Sequence, residues 1–304
     1  MTQRGSSPKP ELQAPTVRFG PDFGLRLEKL VLRMSAASER REGIGSASMS
    51  GGGEEFVAFR PYRPGEDLRG LDWNLYARLD RPYVKVTRRE AAQVWAVLVD
   101  TSASMGVGPP GKLQAAAELA VGVAAVGLRQ GARVQVAFTG RSVREGARSQ
   151  ALHLTVRSLR DLHVLKATFE QQIASGESGI GHYLANSRPV RDAGRLIVIG
   201  DLLDLEPKRM LSLARPGLEL ALGRVLAPLE LSPRAGSSVE WVDPESGERK
   251  RMLLDSQQLN RYERALETEL EAWSHLAGRH GWRYCCFSSE TPFEDMVRGL
   301  LERR

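Results

Sequence analysis

Residues 94–106 read VWAVLVDTSASMG. Six apolar residues run unbroken into Asp100, and hydroxyls then follow at every second position, Ser102 and Ser104. An uninterrupted apolar run of this length predicts a strand buried on both faces, as in a parallel sheet. Downstream, KLQAAAELAVGVAAVGLRQ (112–130) predicts a helix closed by Gly131, and RVQVAFT (133–139) alternates as a strand. Residues 156–174 predict a further helix. RLIVIG (195–200) repeats the fully apolar pattern and is followed by Asp201. LELALGRVLA (218–227) contains another strand, and SVEWVDPESGERKRMLL (238–254) predicts a hairpin turning near Pro244–Gly247. SQQLNRYERALETELEAWSHLAGRH (256–280) predicts a long helix with Ser256 as N-cap and Gly281 at its end, and WRYCCFS (282–288) a final strand. Thr291-Pro292-Phe293-Glu294 has the form of a capping box with Pro at the first helical position. Strand–helix alternation over roughly 200 residues predicts an α/β fold, a doubly wound and mostly parallel sheet.

Upstream of this region the sequence changes character. Residues 1–20 are rich in Pro, Ser and polar side chains and predict a disordered tail. DFGLRLEKLVLRMSAASERR (22–41) places Leu25, Leu27, Leu30, Val31 and Met34 at near-helical spacing and predicts an amphipathic helix. EGIGSASMSGGG (42–53) reads as a linker, since no Lys-Ser/Thr pair follows to make it a phosphate-binding loop. In 54–90, Pro61, Pro64 and Gly65 indicate turns and Tyr83–Thr87 alternates as a strand. Arg60, Arg69 and Arg78 stand near Glu66, Asp67, Asp72 and the aromatics Tyr62, Trp73, Tyr76 and Tyr83. That mixture fits an internal network docking the segment on the sheet; the alternative is an exposed contact surface. The domain organisation expected is a tail (1–20), a helix and charged segment (21–90), and an α/β domain (91–304) with the hairpin inserted at about 238–254.

The 304 residues are 41% hydrophobic and 26% charged, which suits a globular chain with a sizeable core. No apolar signal core and no run near the roughly 18 residues of a membrane helix is present, so a cytoplasmic protein is expected. The two cysteines, Cys285 and Cys286, are adjacent and point to opposite faces of a strand, unsuited to a bridge or a metal pair. Net charge is +6, with 43 basic residues dispersed among 37 acidic ones. Without a basic block, and with only 6% aromatics, nucleic acid is not an expected partner.

In open α/β sheets, ligands sit beyond the carboxyl ends of the strands. Asp100 and Asp201 each terminate a buried strand, so both belong on that edge. Ser102 and Ser104 occupy the turn out of the first strand, and the loop SGESGIG (175–181) offers Ser178 before another helical stretch. Two carboxylates and three hydroxyls make an oxygen donor set suited to Mg²⁺, with Mn²⁺ or Ca²⁺ as alternatives. Taken alone, Asp100 reads better as a helix N-cap; the whole set favours the metal site. An aspartate-nucleophile phosphatase needs Asp-x-Asp, and the second position here is Ser102. A serine nucleophile elbow needs Gly-x-Ser-x-Gly, and Ser102-Ala103-Ser104-Met105-Gly106 lacks the first glycine. The five histidines show no ligand spacing. Binding rather than catalysis is therefore expected, with a metal-dependent hydrolase, or a scaffold whose metal site is vestigial, as the alternatives.

Asp100-Thr101-Ser102-Ala103-Ser104 resembles the Asp-x-Ser-x-Ser that opens the metal-ion-dependent adhesion site (MIDAS) of von Willebrand factor A domains. In that family a later Thr and a later Asp complete the site. Ser178 and Asp201 fall where those residues are expected, with Ser178 in place of Thr. A second resemblance is to the bacterial DUF58 family. It is carried by Glu55-Phe56, Arg60-Pro61-Tyr62, Pro64-Gly65-Glu66-Asp67, Arg69, Leu71-Asp72-Trp73, Ala77-Arg78 and Asp243-Pro244-Glu245-Ser246-Gly247-Glu248. That resemblance implies a von Willebrand A-like domain, a MoxR-type AAA+ ATPase as partner, and a role in maturing or activating a client complex. Metal coordination would be completed by an Asp or Glu of the protein partner.

Overall fold

The computed structural model describes residues 17–41, 54–62, 73–79, 81–89, 93–141, 152–233, 238–242, 248–253 and 255–302. In chain order, α1 (Phe23–Arg41) is followed by β1 (Glu54–Pro61), α2 (Trp73–Leu79), β2 (Tyr83–Arg89) and β3 (Val94–Val99). A short 3₁₀ turn, Ala103–Gly106, leads to α3 (Lys112–Arg129), β4 (Arg133–Phe138), β5 (Gly140–Arg141) and β6 (Leu152–Val156). Next come α4 (Leu159–Gln171), β7 (Glu177–Ser178), α5 (Ile180–Asn186), α6 (Arg188–Asp192) and β8 (Arg195–Gly200). The chain continues through α7 (Pro207–Leu211), β9 (Glu219–Leu226), α8 (Pro228–Leu231), β10 (Ser238–Val242), β11 (Arg249–Leu253), α9 (Ser256–His280), β12 (Arg283–Ser288) and α10 (Phe293–Leu301).

Six strands form one sheet in the order β12-β9-β8-β3-β4-β6. All neighbours are parallel except the edge pair β4–β6. The fold is therefore the α/β, doubly wound, mostly parallel sheet expected from the sequence. β3 sits at the centre and is apolar throughout because both its faces are covered. Trp95, Val97 and Val99 join a core layer with α3 and α10, while Ala96 and Leu98 join a second layer with Ile180, Tyr183, Leu184 and Trp273. α3 is buried on nearly every side, which explains its run of Ala, Val and Gly, while half-buried Gln114 donates to half-buried Glu118 one turn on at 2.7 Å. α1 lies over this layer, burying Phe23, Leu27, Leu30 and Met34. The Arg26 guanidinium donates to both Glu294 carboxylate oxygens, at 2.6 and 2.7 Å.

Several sequence expectations need correction. The tail does not extend to residue 20: Val17 is buried and Phe19 packs on Phe23, their ring centroids 4.7 Å apart. The helix expected over 156–174 starts later. Leu152–Val156 is an edge strand: LHLTV alternates apolar and polar residues, with Val156 buried and Leu154 half-buried on the inner side. The helix begins after Ser158, whose hydroxyl accepts from the Asp161 amide. α9 is capped by Asp255 rather than Ser256, with the Asp255 carboxylate accepting from the Gln258 amide at 2.7 Å. Thr291 caps nothing, because Pro292 is the N-cap of α10 and the Glu294 carboxylate is taken by Arg26. The charged 54–90 segment folds partly as the antiparallel pair β1–β2, and β1 was not anticipated as a strand. α2 buries no residue, and Trp73 and Tyr76 are exposed rather than docked on the sheet. The linker at 42–53, Pro64–Asp72 and the turn at 243–247 lie outside the described residues, although β10 and β11 pair as the expected hairpin. Cys285 and Cys286 are half-buried and not disulfide-bonded, and the Cys285 thiol donates to the Gly299 carbonyl at 3.3 Å. Among the described residues, no helix is long and apolar enough to cross a membrane.

Candidate functional site

Asp100 and Asp201 meet because β3 and β8 are parallel neighbours in register, Val99 opposite Ile199. The Asp100 amide donates to the Ile199 carbonyl at 2.8 Å, extending the ladder by one bond. Asp100 then lies beside Gly200, where a methyl group would stand 2.7 Å from the Asp100 Cβ. Glycine at the end of β8 thus makes room for the carboxylate. The chain leaves Asp201 through Leu202, a buried residue with φ of 57°. A left-handed leucine stores strain of about 1 kcal/mol or more, and it sits at this bend.

The serines arrive by different routes. The Ser102 amide donates to Asp100 Oδ1 at 2.9 Å, and the Ser102 and Ser104 hydroxyls are 3.0 Å apart. Ser178 comes from the other side of the sheet order. The Ala103 amide donates to the Gly176 carbonyl and the Ser175 amide to the Thr101 carbonyl, lacing the two loops together. β5 and β7 pair Gly140 with Ser178, and the Thr101 hydroxyl accepts from the Gly140 amide at 2.9 Å. The Ser178 hydroxyl consequently donates to Asp100 Oδ2 at 3.0 Å. Asp100, Ser102, Ser104 and Ser178 are thus one connected hydrogen-bonded set, and Asp201 stands beside it.

Burial first, and then the nearby Asp201 charge, push the Asp100 carboxyl up to about 6. The hydrogen bonds from Ser102 and Ser178 oppose that shift without cancelling it. Two carboxylates facing each other at a dry edge are electrostatically unfavourable, and a cation between them would relieve this.

One cation is already present nearby. Lys112, the first residue of α3, is fully buried. Its ammonium donates to Asp201 Oδ2 at 3.0 Å and to Glu230 Oε1 at 2.8 Å. Glu230 is itself fixed, since its Oε2 accepts from the Ala227 amide at 2.7 Å. The remaining Asp201 oxygen accepts from the Leu203 amide at a long 3.4 Å. Sequence reasoning missed Lys112 and Glu230. A signal existed for Glu230: Pro228 and Glu230 mark a helix start directly after a third apolar strand.

The donor chemistry fits a hard divalent cation. It consists of oxygen alone, from Asp100, Ser102, Ser104, Ser178 and Asp201. Among the described residues no group of three His, Cys, Asp or Glu side chains gathers to hold a metal.

Residues 58–271 match the family model described as "Protein of unknown function DUF58". The chain belongs to the DUF58 family. This DUF58 chain is also similar to a number of solved structures, three of which follow. One is the conserved hypothetical protein BatB from Bacteroides thetaiotaomicron, with 16% identity, 62% of this chain and 99% of that one covered, and a TM-score of 0.36. Another is an aerotolerance-related membrane protein from Bacteroides fragilis, with 13% identity, coverages of 69% and 96%, and a TM-score of 0.41. The third is a von Willebrand factor type A protein from Catenulispora acidiphila, with 11% identity, coverages of 70% and 41%, and a TM-score of 0.36. No curated protein matches the DUF58 chain.

Proposed function

We propose that this protein is a metal-dependent protein-binding module. Asp100, Ser102, Ser104, Ser178 and Asp201 would hold Mg²⁺ directly or through water, and an Asp or Glu of the partner would complete the coordination. The cation would supply concentrated positive charge, so that partner affinity depends on it. The observation that carries this reading is the buried pair of strand-end carboxylates, one of them accepting from the Ser102 amide and the Ser178 hydroxyl, with the Ser102 and Ser104 hydroxyls paired beside it. The surroundings favour contact with a protein. Val107, Leu203 and Leu229 are exposed apolar residues on the segments that follow β3, β8 and β9, at the same sheet edge. The phosphatase and serine-hydrolase patterns are missing at Ser102 and Ser104, which favours binding over catalysis. By family resemblance the partner is a MoxR-type AAA+ ATPase acting on a client complex.

The test is a pull-down with purified MoxR-type ATPase, with Mg²⁺ and with chelator. Binding is expected to need Mg²⁺ and to be lost in Asp100→Ala. An Asp100→Ala variant that binds equally well with or without chelator would sink the proposal. Phosphatase or nuclease turnover that requires Asp100 would establish the hydrolase instead.

A further inference from the structure

Lys112 occupies a position that elementary electrostatics disfavours twice. Burying an ammonium is costly unless it is paired and hydrogen-bonded. The first turn of a helix carries the positive end of its dipole and favours acidic side chains, not lysine. Lys112 is fully buried at the first position of α3 nonetheless, behind a Gly111 N-cap that offers no side chain. Two carboxylates hold it there, and they are not equivalent. Glu230 is immobilised, with one oxygen on Lys112 and the other on the Ala227 amide. Its backbone carbonyl also accepts from the Tyr262 hydroxyl at 2.7 Å, which ties α8 to α9. Asp201 is the looser partner, with one oxygen on Lys112 and the other only 3.4 Å from the Leu203 amide.

We propose that Lys112 is a tethered counter-ion of the strand-end site. It neutralises Asp201 in the metal-free protein and is held by Glu230 alone once Asp201 turns to a divalent cation. This rests on the metal reading above and adds a regulation to it. The lysine competes for Asp201, so the site binds its cation more weakly than its carboxylates would allow. Glu230 sets how strongly the lysine competes. Lys112 is thus a positioning residue, acting through Asp201 and linking cation occupancy to α8.

The two partners predict shifts of opposite sign, which a purely structural role would not produce. The full chain is stripped with chelator and titrated with Mn²⁺ by calorimetry, with thermal unfolding in chelator as a check of folding. Lys112→Met removes the charge at similar length and is expected to tighten Mn²⁺ binding about tenfold, whereas Glu230→Gln is expected to weaken it about tenfold. Mn²⁺ affinities equal to wild type in both variants, or a weaker Lys112→Met, would overturn the proposal while leaving the metal reading intact. If Lys112→Met does not fold, Glu230→Gln decides alone, and unchanged affinity there overturns it. A wild type that binds no Mn²⁺ beside a Lys112→Met variant that does would support the lysine as occupant. If neither binds, both this inference and the metal reading fail.

Discussion

Asp100 is the residue on which the site's electrostatics turn. Its carboxyl is raised from an ordinary value of 3.8 to about 6 in the fold, so the native state holds a proton that the unfolded chain has already released. The sign follows from proton linkage. Between about pH 4 and 6 the native state binds more protons, so this residue's contribution is complete below pH 4 and is lost as pH rises through 6. At about 1.4 kcal/mol per unit, the loss amounts to ~3 kcal/mol. In chelator, Asp100→Asn is expected to remove this term, so the stability difference between variant and wild type should grow from pH 4 to 7. Denaturant unfolding across that range checks it; a difference independent of pH would contradict the burial of a charged Asp100. The same variant should no longer bind Mn²⁺.

At the scale of elements, two contacts position the site's frame. α1 is held on the outer layer by Phe23, Leu27, Leu30 and Met34, all buried. Leu30→Ala is expected to cost ~2–4 kcal/mol by the loss of buried methyls and the cavity left behind. Leu32→Ala, at a residue 56% exposed, should stay within about 0.5 kcal/mol. Denaturation midpoints distinguish the two. The Arg26–Glu294 pair adds less, about 1 kcal/mol at most, because Arg26 is 40% exposed. The second contact is the close approach of β3 and β8 at Gly200. Gly200→Ala places a methyl 2.7 Å from the Asp100 Cβ and forces the two strand ends apart. A cost of ~1–3 kcal/mol is expected, with weakened Mn²⁺ binding in calorimetry, since the carboxylate is displaced from its serines.

Across the whole molecule, a ligand that binds only the folded state stabilises it by mass action. Mn²⁺ at a hundred times its dissociation constant should add about 2.7 kcal/mol to unfolding, read as a rise in Tm that chelator reverses. Asp100→Ala should show no rise. This readout needs no partner and no enzymatic assay, because donors from β3, β7 and β8 come together only in the folded chain.

How much of this was written in the sequence depends on range. The runs VWAVLV and RLIVIG are apolar at every position, because strands buried on both faces admit nothing else, and each leads into an aspartate. That pattern alone placed Asp100 and Asp201 on one edge. The strand Leu152–Val156 was legible in the alternation of Leu152, Leu154 and Val156, but it is only five residues long and its end, Val156, merges into the helical stretch that follows. The paired strands β5 and β7 were hidden because two residues are too short to show any period. Nothing in the local sequence around Lys112 marks it as buried. Its burial follows from Asp201 and Glu230, which lie 89 and 118 positions away in the chain. The sequence by itself determined the central strands of the sheet, the edge where Asp100 and Asp201 end them and the hydroxyls beside Asp100, since burial and strand period are local properties. Only the tertiary structure decided that Ser178 reaches Asp100 and that a lysine already neutralises Asp201. Hydrogen bonds and ion pairs depend on distances between distant segments, and packing of the sheet and its loops sets those distances.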